Sequence, residues 1–408
     1  MALFRNHLHD EFGSWPLAYI PYGGADYGEI AAVGAAVGDG DDSAFHAAWT
    51  QAAERLSANA QEALGRGHRD SARGLFLKAS CFHAAAFHPL FGEPVDPRLL
   101  ASFRSQTAAF ESALALDETP ATSLRIPFEG TTLPGYLLPA ERRGHERRPL
   151  LILLSGYDAT ITDLYFGSVV AASRRGYHCL AFDGPGQGGA LYEQGLRQRP
   201  DWETVVRAVV DHALTFDIVD PQRIVLSGLS LGGYLAPRGA SGEPRLAACI
   251  ADPGLSSVAS GFSAAAVQLG VPVELAARLS DLPAQWIERL ETFIANDPKL
   301  HWGVMKRGYW VHGVNNLRDY FAEAEKFTLD GRIDSIRCPT LITAAENDRL
   351  SHSAAALFEA LKCPKQLLRF TAAEGAGTHC EMQNRSLLNQ RVLDWLDEQL
   401  QEDLPKKA

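Results

Sequence analysis

Gly228-Leu229-Ser230-Leu231-Gly232-Gly233 constrains the fold of this chain more than any other segment. It follows an apolar run, Arg223–Ser227, and precedes a helical stretch. Glycines around the serine permit a tight strand-to-helix turn. Such a turn lifts a serine hydroxyl out of a sheet and leaves the N–H groups of the helix N-terminus facing it. The five-residue pattern alone would fit a glycine-rich turn with an ordinary serine. The strand before it and the helix after it weigh against that reading.

The surrounding pattern agrees. Short β-like runs at Leu124–Phe128 and Leu133–Leu138 flank Glu129-Gly130, a hairpin signal. Leu150–Leu154 is continuously apolar, as a strand buried on both faces should be. Strands at His178–Phe182, Arg223–Ser227, Leu246–Ala251, Thr340–Ala344 and Gln366–Phe370 then alternate with helices from about Thr162 to Arg174 and from Trp202. In the latter, Trp202, Val205, Val206, Val209, Val210 and Ala213 form one apolar stripe. A last helix carries Leu388, Val392, Trp395 and Leu396. This alternation predicts an α/β fold, a doubly wound and mostly parallel sheet.

Two stretches stand outside it. Residues 1–120 read as a helical domain. One helix is capped by Asp42 or Ser43, and others run from about Ser71 to Phe87 and from Leu99 to Leu116. Residues 255–328 hold helical segments and no convincing strand, too long a stretch for a loop, and read as a helical cap insertion. The core would then comprise residues 121–254 and 329–408.

A nucleophilic serine needs a base, and the base needs an orienting acid. In such sheets they follow in the order Ser, acid, His, on loops after later strands. Asp348 follows strand Thr340–Ala344, and His379 follows strand Gln366–Phe370. Glu346 is the rival acid and His352 the rival base, although His352 lies early and opens a helix. The loop Ser155-Gly156-Tyr157-Asp158-Ala159-Thr160 should supply a second oxyanion donor, the Tyr157 N–H, beside that of Leu231. Asp158 is odd there, because a carboxylate repels developing negative charge unless protonated or turned away. It reads equally well as the cap of a helix beginning near Ile161. Phe182-Asp183-Gly184-Pro185-Gly186-Gln187-Gly188-Gly189 lacks the Lys-Ser/Thr ending of a phosphate loop and the spacing of a dinucleotide fingerprint, and reads as a loop at the rim of the sheet. In the cap, Trp302, Tyr309, Trp310 and His312 fit either a packed core or a pocket for an aromatic or acyl ligand.

Composition narrows the partners. Lys and Arg number 38 against 49 Asp and Glu, a formal net charge of -11, which argues against a nucleic-acid or anionic-membrane surface. No apolar run approaches the ~18 residues of a membrane span, and the first residues show no secretory signal. The six cysteines are scattered without a CxxC pair, which suits reduced thiols and a cytoplasmic setting. No metal-ligand spacing occurs, and the chemistry needs no cofactor. A homodimer is left open.

With GLSLGG, FDGPGQG, ENDR and GTHC in place, residues 120–400 resemble the α/β-hydrolase superfamily. The helical N-terminal part, SGYDAT, and Gly308-Tyr309-Trp310-Val311-His312-Gly313 resemble one group within it. That group contains dihydroxypseudooxynicotine hydrolase, fungal polyketide-shortening hydrolases and FrsA-like esterases. The resemblance implies a helical domain packed over the site and a triad carried by Ser230, Asp348 and His379. It implies cleavage of a carbon–carbon bond beside a ketone in a small aryl or polyketide-like carbonyl compound. It also implies a role for an acid near the oxyanion loop, where this chain has Asp158 rather than Glu. The alternatives are a carboxylesterase or amidase of the same mechanism and, further off, a hydrolase-like binding protein.

Overall fold

The computed structural model describes residues 2–400. Eight strands form one sheet: β1 (Thr122–Phe128), β2 (Thr131–Leu138), β3 (Arg148–Leu154), β4 (His178–Phe182), β5 (Val219–Leu229), β6 (Leu246–Asp252), β7 (Thr340–Ala345) and β8 (Lys365–Phe370). Their order is β1-β2-β4-β3-β5-β6-β7-β8. The β1–β2 hairpin and the β2–β4 pair are antiparallel, and every pair from β4 to β8 is parallel. At the hairpin tip Glu129 and Gly130 both have positive φ, 41° and 82°, as a two-residue turn matching strand twist requires.

The apolar strands are buried on both faces, and period-2 alternation sorts their side chains between two cores. Leu150, Ile152, Leu154, Ile224, Leu226 and Cys249 face the helices Trp202–Ala213 and Gly232–Ala240. Leu151, Leu153, Val225, Ala248 and Ile250 face the other way. There they share a core with Phe45, Trp49, Phe76 and Phe110 of the N-terminal helices and with Trp395 and Leu396 of the last helix, Arg385–Leu400.

The N-terminal part holds helices Asp42–Gly65, Arg69–Ala86 and Pro97–Leu114. Three earlier α-helices, His7–Gly13, Trp15–Ala18 and Tyr27–Val37, precede them. The cap of the first long helix is Asp41, whose carboxylate accepts from the N–H groups of Ser43 and Ala44, rather than Asp42 or Ser43. The helix expected over Thr162–Arg174 is present but contains a π-helical turn at Tyr165–Val169. The Gly167 carbonyl there accepts from Asn389 (2.9 Å) and from Arg385 Nη2 (3.1 Å).

The insertion leaves and rejoins the sheet through one neck. Ser257 bridges Thr328, Val258 N–H donates to Phe327 O (3.0 Å), and Leu329 N–H donates to Ser256 O (2.9 Å). Between these lie helices Ala259–Gln268, Ala284–Asn296 and Leu317–Glu325, with a small core of Leu279, Ile287, Leu290, Leu317 and Tyr320. Among the described residues no helix is long and apolar enough to cross a membrane.

Candidate active site

The loop after β5 turns sharply because its glycines allow it. A Cβ on Gly228 would run into the Gly232 carbonyl oxygen, and one on Gly233 into that of Pro253. Ser230 sits at φ 61°, a left-handed conformation that serine seldom adopts. The turn is held by Ser230 N–H donating to Asp252 O (2.6 Å) and Gly233 N–H donating to Ser230 O (2.8 Å). The hydroxyl therefore stands above the carboxyl end of the sheet.

The loops after β7 and β8 converge on it and bond each other through Asn347 N–H to Gly377 O (2.8 Å). His379 Nε2 lies 3.0 Å from Ser230 Oγ, and Nδ1 lies 2.8 Å from Asp348 Oδ2. The Asp348 side chain is 4 % exposed and that of His379 43 %. Burial raises the Asp348 carboxyl, but the His379 hydrogen bond and charge and backbone N–H groups outweigh it and hold it below its ordinary range. For His379, desolvation acts downward; the hydrogen bond and charge of Asp348, then Asp252 and Asp158, outweigh it and raise the imidazole above 6.5. The rival residues point elsewhere. Glu346 is exposed and accepts from Ala372 N–H (2.7 Å), and exposed His352 turns its Nδ1 to the Arg349 carbonyl.

The loop after β3 presses against the elbow. A Cβ on Gly156 would lie 2.7 Å from Ser230 Cβ and 2.9 Å from Leu231 N, so a side chain there would fill the site. Among the described residues no acceptor takes the N–H of Leu231 or of Tyr157.

Asp158 does not cap the following helix. Thr160 does so, with Asp163 completing a capping box, because the helix starts at Ile161 and the capping position is the residue just before it, two residues past Asp158. Asp158 is turned onto Arg307 of the insertion, whose Nη1 lies 3.0 and 2.7 Å from its two oxygens. The guanidinium lies 4.4 Å from the Tyr157 ring centre and 5.3 Å from that of Trp302. Arg307 was not singled out from the sequence. Its signal there was one of two adjacent cations, Lys306 and Arg307, between Trp302 and Tyr309.

The cap aromatics divide by position. His312 Nε2 meets the Tyr157 hydroxyl at 2.6 Å. Desolvation, then Arg307 and Lys326, lower its imidazole to about 3, so it is neutral. Trp302 stacks on Phe91 and donates Nε1–H to His88 O (2.9 Å). Trp310 stacks on Tyr192. Both tryptophans are buried where the insertion meets the N-terminal helices, while Tyr309 is half-buried against Tyr320.

A second group missed from the sequence lies behind the elbow. Buried Asp252 accepts from Thr343 Oγ1 (2.8 Å) and pairs with Arg385 Nη1 (3.2 Å). Beside it Glu381 is buried, and desolvation together with Asp252 pushes its carboxyl well up. Asp252 and Thr343 come from β6 and β7, and Glu381 and Arg385 from the turn and helix after β8, so no local spacing announces the group.

A parallel sheet in this order, with a serine elbow after the fifth strand and its partners after the seventh and eighth, defines an α/β-hydrolase. The chain belongs to the alpha/beta hydrolase family, whose family model matches residues 151–388. It is an enzyme of that family, as the motifs led one to expect. Hydrolase acrC of Aspergillus aculeatus is 33% identical, over 94% of this chain and 95% of its own. The 20-hydroxy-prefusarin hydrolase FUS2 of Gibberella moniliformis is 32% identical, over 93% of this chain and 94% of its own. The crystal structure of 2,6-dihydroxy-pseudo-oxynicotine hydrolase superposes with a TM-score of 0.73 at 22% identity, over 94% of this chain and 96% of that one. At that identity the likeness is one of fold.

Proposed function

We propose that this enzyme is a serine hydrolase acting through an acyl-enzyme on a small carbonyl compound. In this reading it cleaves a carbon–carbon bond beside a ketone in an aryl or polyketide-like substrate. The observation that carries the reading is the unbroken chain from Ser230 Oγ through His379 to Asp348, at 3.0 and 2.8 Å. His379 takes the Ser230 proton as the oxygen attacks the carbonyl, and Asp348 holds the ring and stabilises the imidazolium. The N–H groups of Leu231 and Tyr157 receive the oxyanion. Collapse of the tetrahedral alkoxide breaks the bond to the leaving carbon, whose electron pair passes to a neighbouring carbonyl or ring. The imidazolium returns its proton to that carbon. Water, deprotonated by His379, then releases the acid.

A carbanion leaving group needs its charge held while the proton arrives. Arg307 supports this part of the reading. Its Nε bonds Gly303 O and its Nη1 bonds Asp158, which leaves Nη2 without an acceptor among the described residues. Asp158 thus serves by holding a cation beside the oxyanion loop. The relative FUS2 acts, by its name, on 20-hydroxy-prefusarin, which is in keeping with a natural-product substrate. The test is a panel of acyl phenols, β-diketones and aryl esters. Turnover of the carbon–carbon substrates, abolished in Ser230→Ala, is expected. Turnover of esters alone would move the assignment to a carboxylesterase.

A further inference from the structure

The loop after β4 carries a glutamine whose side chain is 1% exposed, Gln187. Its Nε2 donates to Ser155 O (2.7 Å) and Gly156 O (3.2 Å), and its Oε1 accepts from Gly184 N–H (3.1 Å). The amide orientation is dictated by these partners: two carbonyls need a donor and one N–H needs an acceptor. No other side chain of this length offers both. Methionine offers neither, and an ionised glutamate cannot donate.

The residue itself is firmly held. Gln187 N–H donates to Gly184 O (3.0 Å), and Gly189 N–H donates to Asp183 Oδ2 (2.8 Å). Gly188 has φ 38°, and a Cβ there would strike the Asp183 carboxylate, so the glycine is required. The glycine-rich segment is a bracket for one amide.

We infer that Gln187 is a positioning residue that aims the Tyr157 N–H at the oxyanion. Gly156 O and Tyr157 N–H belong to one peptide unit. The cis peptides among the described residues are at Glu93-Pro94 and Asp252-Pro253, so this unit is trans and its C=O and N–H point in opposite directions. In the sheet, β3 lies between β4 and β5. Gln187, on the β4 side, takes the carbonyl. The N–H is thereby turned to the β5 side, where Ser230 and Leu231 N stand against Gly156. Without the amide the peptide is free to rotate and the second oxyanion donor is lost. Gln187 does not touch the reacting atoms.

The inference rests on the serine-hydrolase reading and is tested with the full chain. Gln187→Met and Gln187→Glu are compared with wild type in turnover and in the rate of Ser230 labelling by a fluorophosphonate. In Gln187→Met, kcat is expected to fall on the order of 10²–10³-fold, as for loss of one oxyanion donor. KM should stay within about threefold and labelling should slow in step with kcat, while the acid limb set by His379 does not move. In Gln187→Glu a protonated carboxyl can still donate one bond, so the ratio of variant to wild-type rate should rise as pH falls. That comparison stands even where the methionine variant fails to fold. A methionine variant with wild-type kcat, or a glutamate variant whose ratio is flat with pH, would overturn the inference. Wild-type protein that labels no faster than Ser230→Ala would instead bring down the hydrolase reading beneath it.

Discussion

A serine hydroxyl is a weak nucleophile until a base and a fixed acid stand behind it, and here both sit within hydrogen-bond reach. Ser230→Ala is therefore expected to lose on the order of 10⁶ in rate, with thermal unfolding little changed. Asp348→Asn should lower kcat about 10⁴-fold by favouring the wrong imidazole tautomer, and Glu346→Gln should leave it near wild type. Reversed results for those two variants would show that the acid is misassigned. The pH dependence follows from the raised imidazole. The base form is the active one, so kcat/KM should rise with pH through a limb lying above 6.5 and fall below it. In Asp348→Asn the same limb should move down, since the charge that raises it is gone. That Asp348 and His379 would come together at Ser230 was legible because loop order after successive strands is written in sequence. Arg307 and Gln187 were not, because each acts on the loop after β3 from a different part of the chain.

Strands and loops show where local pattern suffices and where it stops. All eight strands appear where the sequence pattern puts them: β3, β4 and β7 are buried on both faces and leave continuous apolar runs, while β1 alternates exposed and buried residues. Helix starts were less legible. Asp41, Asp42 and Ser43 are all competent caps, as are Asp158 and Thr160, and the path by which the chain enters the helix decides between them. The π-helical stretches at Tyr165–Val169 and His301–Gly308 leave no periodic trace, since distant side chains take up the displaced carbonyl in the first of them. The elbow is the element most sensitive to a single methyl group. Gly228→Ala would drive a Cβ into the Gly232 carbonyl, an obstacle of backbone that cannot swing aside. The expected loss is ~3 kcal/mol, at the upper end for overpacking, read from the urea midpoint at unchanged slope. A loss below ~1 kcal/mol would mean that the turn relaxes more easily than its contacts imply.

The N-terminal helices, the sheet and the insertion meet at one aromatic cluster, and this junction sets how the chain behaves as a unit. Phe91, 2% exposed, has ring centres of Phe87, Tyr192, Trp302 and Trp310 at 6.1, 5.8, 5.7 and 5.6 Å. Those neighbours belong to all three parts. Trp302 in turn backs the Arg307 guanidinium, which lies over Tyr157 and pairs with Asp158. The loop after β3 is thus braced by the insertion, and the insertion by helices from the start of the chain. Phe91→Ala opens a cavity at that point and should cost 3–5 kcal/mol, the usual range for a buried phenylalanine. If the three parts unfold together, the loss appears as one shifted urea transition with its slope kept. The brace reaches the loop beside Ser230, so kcat/KM should fall although Phe91 is remote from Ser230 in sequence. Two separate transitions, or a loss below about 1 kcal/mol, would show that the insertion is anchored by its neck at Ser257 and Thr328 rather than by the aromatic cluster.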